Sequence, residues 1–148
     1  MSRERLKIVP ACYLVLVKGG KILLLRRHNT GYEDGNYSFV AGHLEAGETF
    51  REAMAREARE EAGIIIDPQK LMTAHVMQRA RFNNDSERVD VFFTIDIWEG
   101  ELTNNEPDRC DDLRWFKLDE LPQNTIPFIA QAIDHIKKGI IYSEFGFK

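Results

Sequence analysis

Glu57, Glu60 and Glu61 stand within a few residues of one another, directly after Arg56 and downstream of Gly42 and Glu48. The segment from Thr49 to Ala62 reads as a helix. Thr49 and Glu52 have capping-box spacing, and Gly63 is a natural stop. At roughly 100° per residue, the three glutamates fall within about 100° of one another on its surface. Phe50, Met54, Ala58 and Ala62 form the neighbouring stripe, which should face the core. Carboxylates at i,i+3 and i,i+4 repel, and more strongly where they are partly buried. A hard divalent cation such as Mg²⁺ reverses the sign of that interaction. It takes oxygen ligands and is commonly shared between carboxylates and a phosphorylated ligand. Gly42 lets the backbone approach closely, so a main-chain carbonyl could join the ligand set. A Glu-rich helix face can equally be a solvated one, with Arg56 pairing ordinarily to Glu52 or Glu60.

The elements that must position this helix are strands. Ile8 to Val17 and Ile22 to Arg26 are β-rich runs joined across Gly19-Gly20, a pair suited to a tight hairpin. Tyr37 to Val40, Leu71 to Gln78, Val89 to Trp98 and Leu113 to Leu118 are further strand candidates, with polar loop from Arg81 to Arg88. Pro127 to Lys138 reads as a second helix, opened by Pro127 and closed before Gly139. The order predicts a mixed α/β class with helices packed on sheet. Tyr142, Phe145 and Phe147 in the tail should dock, on this domain or on a partner.

Length and composition fit one domain over 1–148, with 43% hydrophobic and 30% charged residues. Twenty basic against 24 acidic residues give a net charge of −4, a poor basis for gripping a nucleic-acid polymer. The start, Met1-Ser2-Arg3, leads into no signal pattern, and Lys18-Gly19-Gly20-Lys21 breaks the longest apolar stretch, so no membrane association is expected. Cys12 and Cys110 make no disulfide framework and suit a reducing, cytoplasmic setting.

The segment from Gly42 to Ile64 resembles the box of the Nudix hydrolases, G-x5-E-x7-R-E-U-x-E-E-x-G-U, where U is bulky and apolar. Gly42, Glu48, Arg56, Glu57, Glu60, Glu61 and Gly63 stand at its fixed positions, and Ile64 at the last U. Ala58 is smaller than the usual residue, and Val40-Ala41 replace a common Pro-Gly. Asn105-Glu106-Pro107, Cys110, Trp115 and Leu121-Pro122 resemble the MutT-like branch. The resemblance implies a Nudix-type α/β/α sandwich with a mixed sheet. It also implies that Glu57, Glu60, Glu61 and the Gly42 carbonyl ligate Mg²⁺ (or Mn²⁺), that Arg56 orients those carboxylates, and that Glu48 braces loop and helix.

By the same resemblance the reaction is hydrolysis of a nucleoside triphosphate to the monophosphate and pyrophosphate, with Glu106 as base and Glu101 and Glu60 as competitors. Arg27 and His43 are candidate phosphate contacts, and Asn124 a candidate reader of a base edge or a turn cap. Phe82, Phe92 and Phe93 could stack on a base or fill the core. Cys110 is given no catalytic role. Nucleotide sugars, ADP-ribose or dinucleoside polyphosphates are the alternative substrates, chosen by loops 29–36, 81–88 and 104–112. A non-catalytic nucleotide-binding module and isoprenoid-diphosphate isomerisation are more distant readings. Homodimerisation stays open.

Overall fold

A computed structural model describes residues 3–82 and 86–148. Two sheets meet along the hairpin that the glycine pair predicts. Strand β1 (Val9–Val15) runs through a short β2 (Val17–Lys18) into Gly19 and Gly20, at φ 58° and 75°, and returns as β3 (Lys21–Arg27). The predicted 37–40 strand divides into β4 (Tyr37–Ser38) and β5 (Val40–His43). After α1 (Phe50–Ala62) come β6 (Met72–Arg79), β7 (Arg88–Thr94), β8 (Cys110–Lys117), α2 (Pro127–Lys137) and β9 (Tyr142–Phe145). One sheet is mixed, in the order β5-β1-β7-β6-β9. The other joins β2, β4 and β8 to β3.

Alternation along β1 builds the layers. Cys12, Leu14 and Leu16 join Ala53, Met54, Ala58 and Ala62 of α1 in one core. Ala11, Tyr13 and Val15 join Phe128, Ile129, Ala132 and Ile133 of α2 in the other. Successive strand side chains point to opposite faces, so both faces of β1 are covered and the helices lie on opposite sides. This is the expected α/β/α sandwich. Phe92 and Phe93 are buried in these cores, whereas Phe82 is exposed.

Helix α1 begins as its sequence dictates. Thr49 Oγ1 accepts from the Glu52 amide at 3.1 Å, and Glu52 Oε1 accepts from the Thr49 amide at 2.9 Å. Gly63 closes it at φ 69°. Three further differences from the sequence reading stand out, each set by a pairing partner. β7 stops at Thr94, opposite Met72, the first residue of β6. β8 starts three residues early because Cys110 pairs with Arg27 across a bulge. The tail forms an unpredicted strand, β9, parallel to β6, which seats Phe145 against the α2 core and leaves Phe147 exposed. The aromatic tail therefore docks on its own domain.

His75 pins that last strand. Its Nδ1–H donates to the Ile140 carbonyl at 2.7 Å, and its Nε2 accepts from the Ser143 hydroxyl at 2.7 Å. Gln131 Nε2 donates to the same hydroxyl oxygen at 3.2 Å. Neutral imidazole, the form that burial favours, satisfies both contacts with a single ring proton. Burial lowers the His75 pKa, the Ile140 carbonyl opposes that, and the neighbouring His135 ring lowers it further. A lowered folded-state value means the stabilisation is present above the unfolded histidine value, about 6.5, and is lost as pH falls below it. Urea denaturation between about pH 7 and pH 5 should show the wild-type midpoint falling relative to that of His75→Gln as pH drops, other titrating groups being common to both. Parallel profiles would remove His75 from that role.

Candidate active site

A cleft of about 570 Å³ opens between the two sheets and the flank of α1. Glu57, Glu60, Glu61 and Glu106 line it. Arg27, Arg56, Arg79, Arg88 and Arg109 line it too, with Tyr13, Tyr32 and Phe128 among them. The cleft therefore gathers carboxylates and guanidiniums along one lining, with Arg27 close enough to act on the Glu61 carboxyl.

Arg56 organises the carboxylates. Its Nε and Nη2 grip Glu48 through a two-pronged contact at 2.7 and 3.0 Å. Its Nη1 donates to Glu57 at 2.6 Å and to Glu60 at 3.4 Å, and Nη2 also reaches the His43 carbonyl at 3.1 Å. Glu48 in turn accepts from the Glu45 amide at 2.8 Å. Fork-to-carboxylate contacts of this kind are both directional and strong. The Arg56 guanidinium, helped by the Glu45 amide, holds the Glu48 carboxyl down at about 2. One cation thus ties the loop before α1 to the helix itself.

Glu57 and Glu61 carry the opposite strain. Burial raises the Glu57 pKa against the pull of Arg56, and Glu60 and Glu106 push the same way. Burial pushes the Glu61 carboxyl up to about 8, although the Ala41 amide donates to it at 2.9 Å, and Glu57 and Glu106 add to the rise. Gly42 makes room for this crowding. A Cβ built there would lie 2.5 Å from Glu57 Oε1 and closer still to its Cγ and Cδ. Only a residue without a side chain permits Glu57 to fold over β5.

Glu106 reaches the other carboxylates because its loop caps α1. The Thr103 amide donates to the Ala62 carbonyl at 2.9 Å, the Asn105 amide to Glu61 O at 3.1 Å, and Asn105 Nδ2 to Arg59 O at 3.3 Å. Satisfying the helix's last carbonyls brings the next residue, Glu106, beside Glu57 and Glu61. Asn104 fixes the loop by donating to the Cys110 carbonyl at 2.6 Å and accepting from the Glu106 amide at 3.1 Å. Glu101 does not line the cleft.

A hard divalent cation fits this donor set: oxygen groups with burial and mutual repulsion against them, over a backbone cradle that a Cβ would fill. Glu57, Glu60, Glu61 and the Gly42 carbonyl could hold it. The Gly42 carbonyl accepts from the Cys12 thiol at 3.5 Å, a thiol that burial pushes up to about 12. Among the described residues, no three acidic, imidazole or thiol groups already converge as a closed cage. Glu57 is turned toward Arg56 and Glu61 toward the Ala41 amide.

The remaining sequence candidates divide. His43 lines the cleft, its Nε2 3.0 Å from Arg88 Nη1. Arg27 lines it too, while bracing the 28–36 loop through Tyr32 O at 2.6 Å and Thr30 Oγ1 at 2.9 Å. Asn124 stands outside the lining, its Nδ2 donating to the Gly35 carbonyl at 2.7 Å, which is the turn-capping alternative. The aromatic rings on the cleft are Tyr13, Tyr32 and Phe128 instead of Phe82, Phe92 or Phe93. Arg79, Arg88 and Arg109 were not legible as a group, since only strand pairing brings their distant positions together. The loop assigned to 81–88 falls partly outside the described residues, at 83–85.

The NUDIX domain model matches residues 6–136, and the chain belongs to the Nudix family. It is 30% identical over 139 residues to an ADP-ribose pyrophosphatase of Methanocaldococcus jannaschii, covering 93% of this chain and 75% of that protein. It is 31% identical over 114 residues to an oxidized purine nucleoside triphosphate hydrolase of Danio rerio, covering 74% and 66%. It also matches NAD-capped RNA hydrolases NudC, of whose length it spans less than half. A crystal structure of a MutT NUDIX hydrolase from Burkholderia pseudomallei superposes with a TM-score of 0.79 at 28% identity, covering 86% of this chain and 97% of that one. No helix among the described residues is long and apolar enough to cross a membrane.

Gly42→Ala tests the cradle. The variant should keep its circular dichroism spectrum while Mn²⁺ affinity, read by calorimetry, falls at least about tenfold as Glu57 is displaced. Unchanged affinity would mean that Glu57 does not need this seat.

Proposed function

We propose that this chain is a metal-dependent Nudix hydrolase that cleaves a nucleoside triphosphate between its α- and β-phosphates, giving the monophosphate and pyrophosphate. The observation that carries this reading is one cleft lined by both glutamates and arginines. A polyphosphate is attracted to the arginines, and a cation at the glutamates offsets the repulsion it would otherwise meet. When bound, Mg²⁺ neutralises phosphate oxygens and makes a bound water more acidic. Glu57, Glu60, Glu61 and the Gly42 carbonyl would hold it. Arg56 sets the direction of Glu57 and Glu60 and is itself fixed by Glu48. Arg27, Arg88 and Arg109, which line the same cleft, would bind phosphate oxygens. Glu106, beside the glutamates, would accept the proton that the attacking water gives up as the phosphorus–oxygen bridge breaks and pyrophosphate leaves. A cytoplasmic setting and a single catalytic domain agree with this reading.

The second reading is hydrolysis of ADP-ribose or a similar nucleoside diphosphate derivative. It is favoured by the M. jannaschii relative, which matches nearly the whole chain. A substrate panel with Mg²⁺ separates the two. Pyrophosphate from a triphosphate supports the first, two monophosphates from ADP-ribose the second, and binding without turnover neither. Glu57→Gln and Glu61→Gln should each lower turnover by several orders of magnitude with the fold intact. Full activity in both would remove these residues from the metal role. Glu106→Gln should lose at least about a hundredfold if it is the base, and a loss below about threefold would assign another carboxylate.

A further inference from the structure

Arg79 is a charged group of the cleft that the reaction above does not use. It is 8% exposed, and Asp90 behind it is fully buried at 0%. Its Nε donates to Asp90 Oδ2 at 2.7 Å, and Nη2 to Asp90 Oδ1 at 3.3 Å. The Tyr13 hydroxyl takes a second bond from Nη2 at 3.3 Å, and the Tyr32 hydroxyl one from Nη1 at 3.2 Å. The Phe128 ring centre lies 3.7 Å from the guanidinium carbon.

Four of the five guanidinium hydrogens are thereby engaged. Among the described residues, neither the second Nη1 hydrogen nor the Tyr32 hydroxyl hydrogen has another partner. Both stand at the cleft wall, on atoms 3.2 Å apart. A buried ion pair is a poor stabiliser compared with apolar residues of the same size, so packing alone gives little reason for one here. Asp90 also cancels the charge of Arg79. The spot therefore suits a neutral ligand better than a phosphate, unlike the flanking Arg27, Arg88 and Arg109. The Tyr32 ring, 40% exposed, offers apolar surface to a flat group.

Two adjacent donors match two adjacent acceptors. A 6-oxopurine presents such a pair in its keto oxygen and neighbouring ring nitrogen, whereas a 6-aminopurine sets an N–H donor against one of them. We propose that Arg79, held by Asp90 and joined to Tyr32, selects the base, favouring a 6-oxopurine over a 6-aminopurine nucleotide. The inference rests on reading the cleft as a nucleotide site.

Calorimetric titration of the metal-free chain with GMP and AMP tests it without reference to turnover. The wild type should prefer GMP by about tenfold or more. Arg79→Lys keeps a charge opposite Asp90 but loses the planar fork, and Arg79→Met/Asp90→Leu leaves no orphaned charge. Both should bring the ratio close to one, with folding checked by thermal melting. Equal affinities in the wild type, failure of both nucleotides to bind, or a preference that survives in both folded variants would overturn the proposal. So would an equal loss for GMP and AMP, which would make Arg79 a phosphate contact. Hydrolysis of GTP and ATP with Mg²⁺, run alongside, keeps the two readings apart. Turnover without base preference overturns this inference alone. An Arg79-dependent preference without turnover supports it and overturns the hydrolase reading.

Discussion

The structure depends on how one guanidinium is shared among carboxylates that repel each other. Arg56 is gripped by Glu48 on the loop side and reaches Glu57 and Glu60 on the helix side. Without it, the flank of α1 would set like charges together at the edge of a core, where low polarity makes repulsion costly. With it, the loop leaving β5 and the first turns of α1 become one unit. Glu57 and Glu61 nonetheless remain displaced toward their neutral forms by burial. That residual strain is what a cation would relieve, and the architecture keeps it in place: Gly42 gives Glu57 its seat, and the Ala41 amide holds Glu61.

The sandwich serves this arrangement by giving α1 a rigid floor. Small residues of the helix, Ala53, Ala58 and Ala62, are fully buried against β1 and its neighbours, so the helix lies close to the sheet. Ala58 stands where the family motif usually has a bulkier residue, and its burial shows that the position is packed here without a large side chain. Capping at both ends fixes the remaining freedom. The Thr49–Glu52 box sets where α1 begins, and the 103–105 loop satisfies its last carbonyls and so delivers Glu106.

Much of the carboxylate set was legible because it is local. A helix period, a capping box and the motif spacing all lie within a single stretch of chain, and local geometry converts them directly into a carboxylate face. The arginine set was not. Arg79, Arg88 and Arg109 come from three separate segments and line one cleft only after β6, β7 and the 104–109 loop have taken their registers. Phe92 and Phe93 illustrate the same limit. A strand's alternation says that they face opposite sides, and the structure shows both sides covered, by one helix each. β9 is not legible in the sequence because it is only four residues long, its one buried residue is the polar Ser143, and its pairing with β6 is a long-range event.

The central claim is that α1 and the Gly42 loop form a cation site in a cleft that arginines also line, with a phosphorylated ligand held by both. A crystal structure with Mn²⁺ and a non-hydrolysable nucleoside triphosphate tests it most directly, because anomalous scattering locates the ion independently of the atomic model. The account predicts an anomalous peak among Glu57, Glu60 and Glu61, with the phosphate chain running from it toward Arg27, Arg88 and Arg109. A well-ordered ligand in that cleft with no ion at those carboxylates, or an ion held elsewhere, would contradict it.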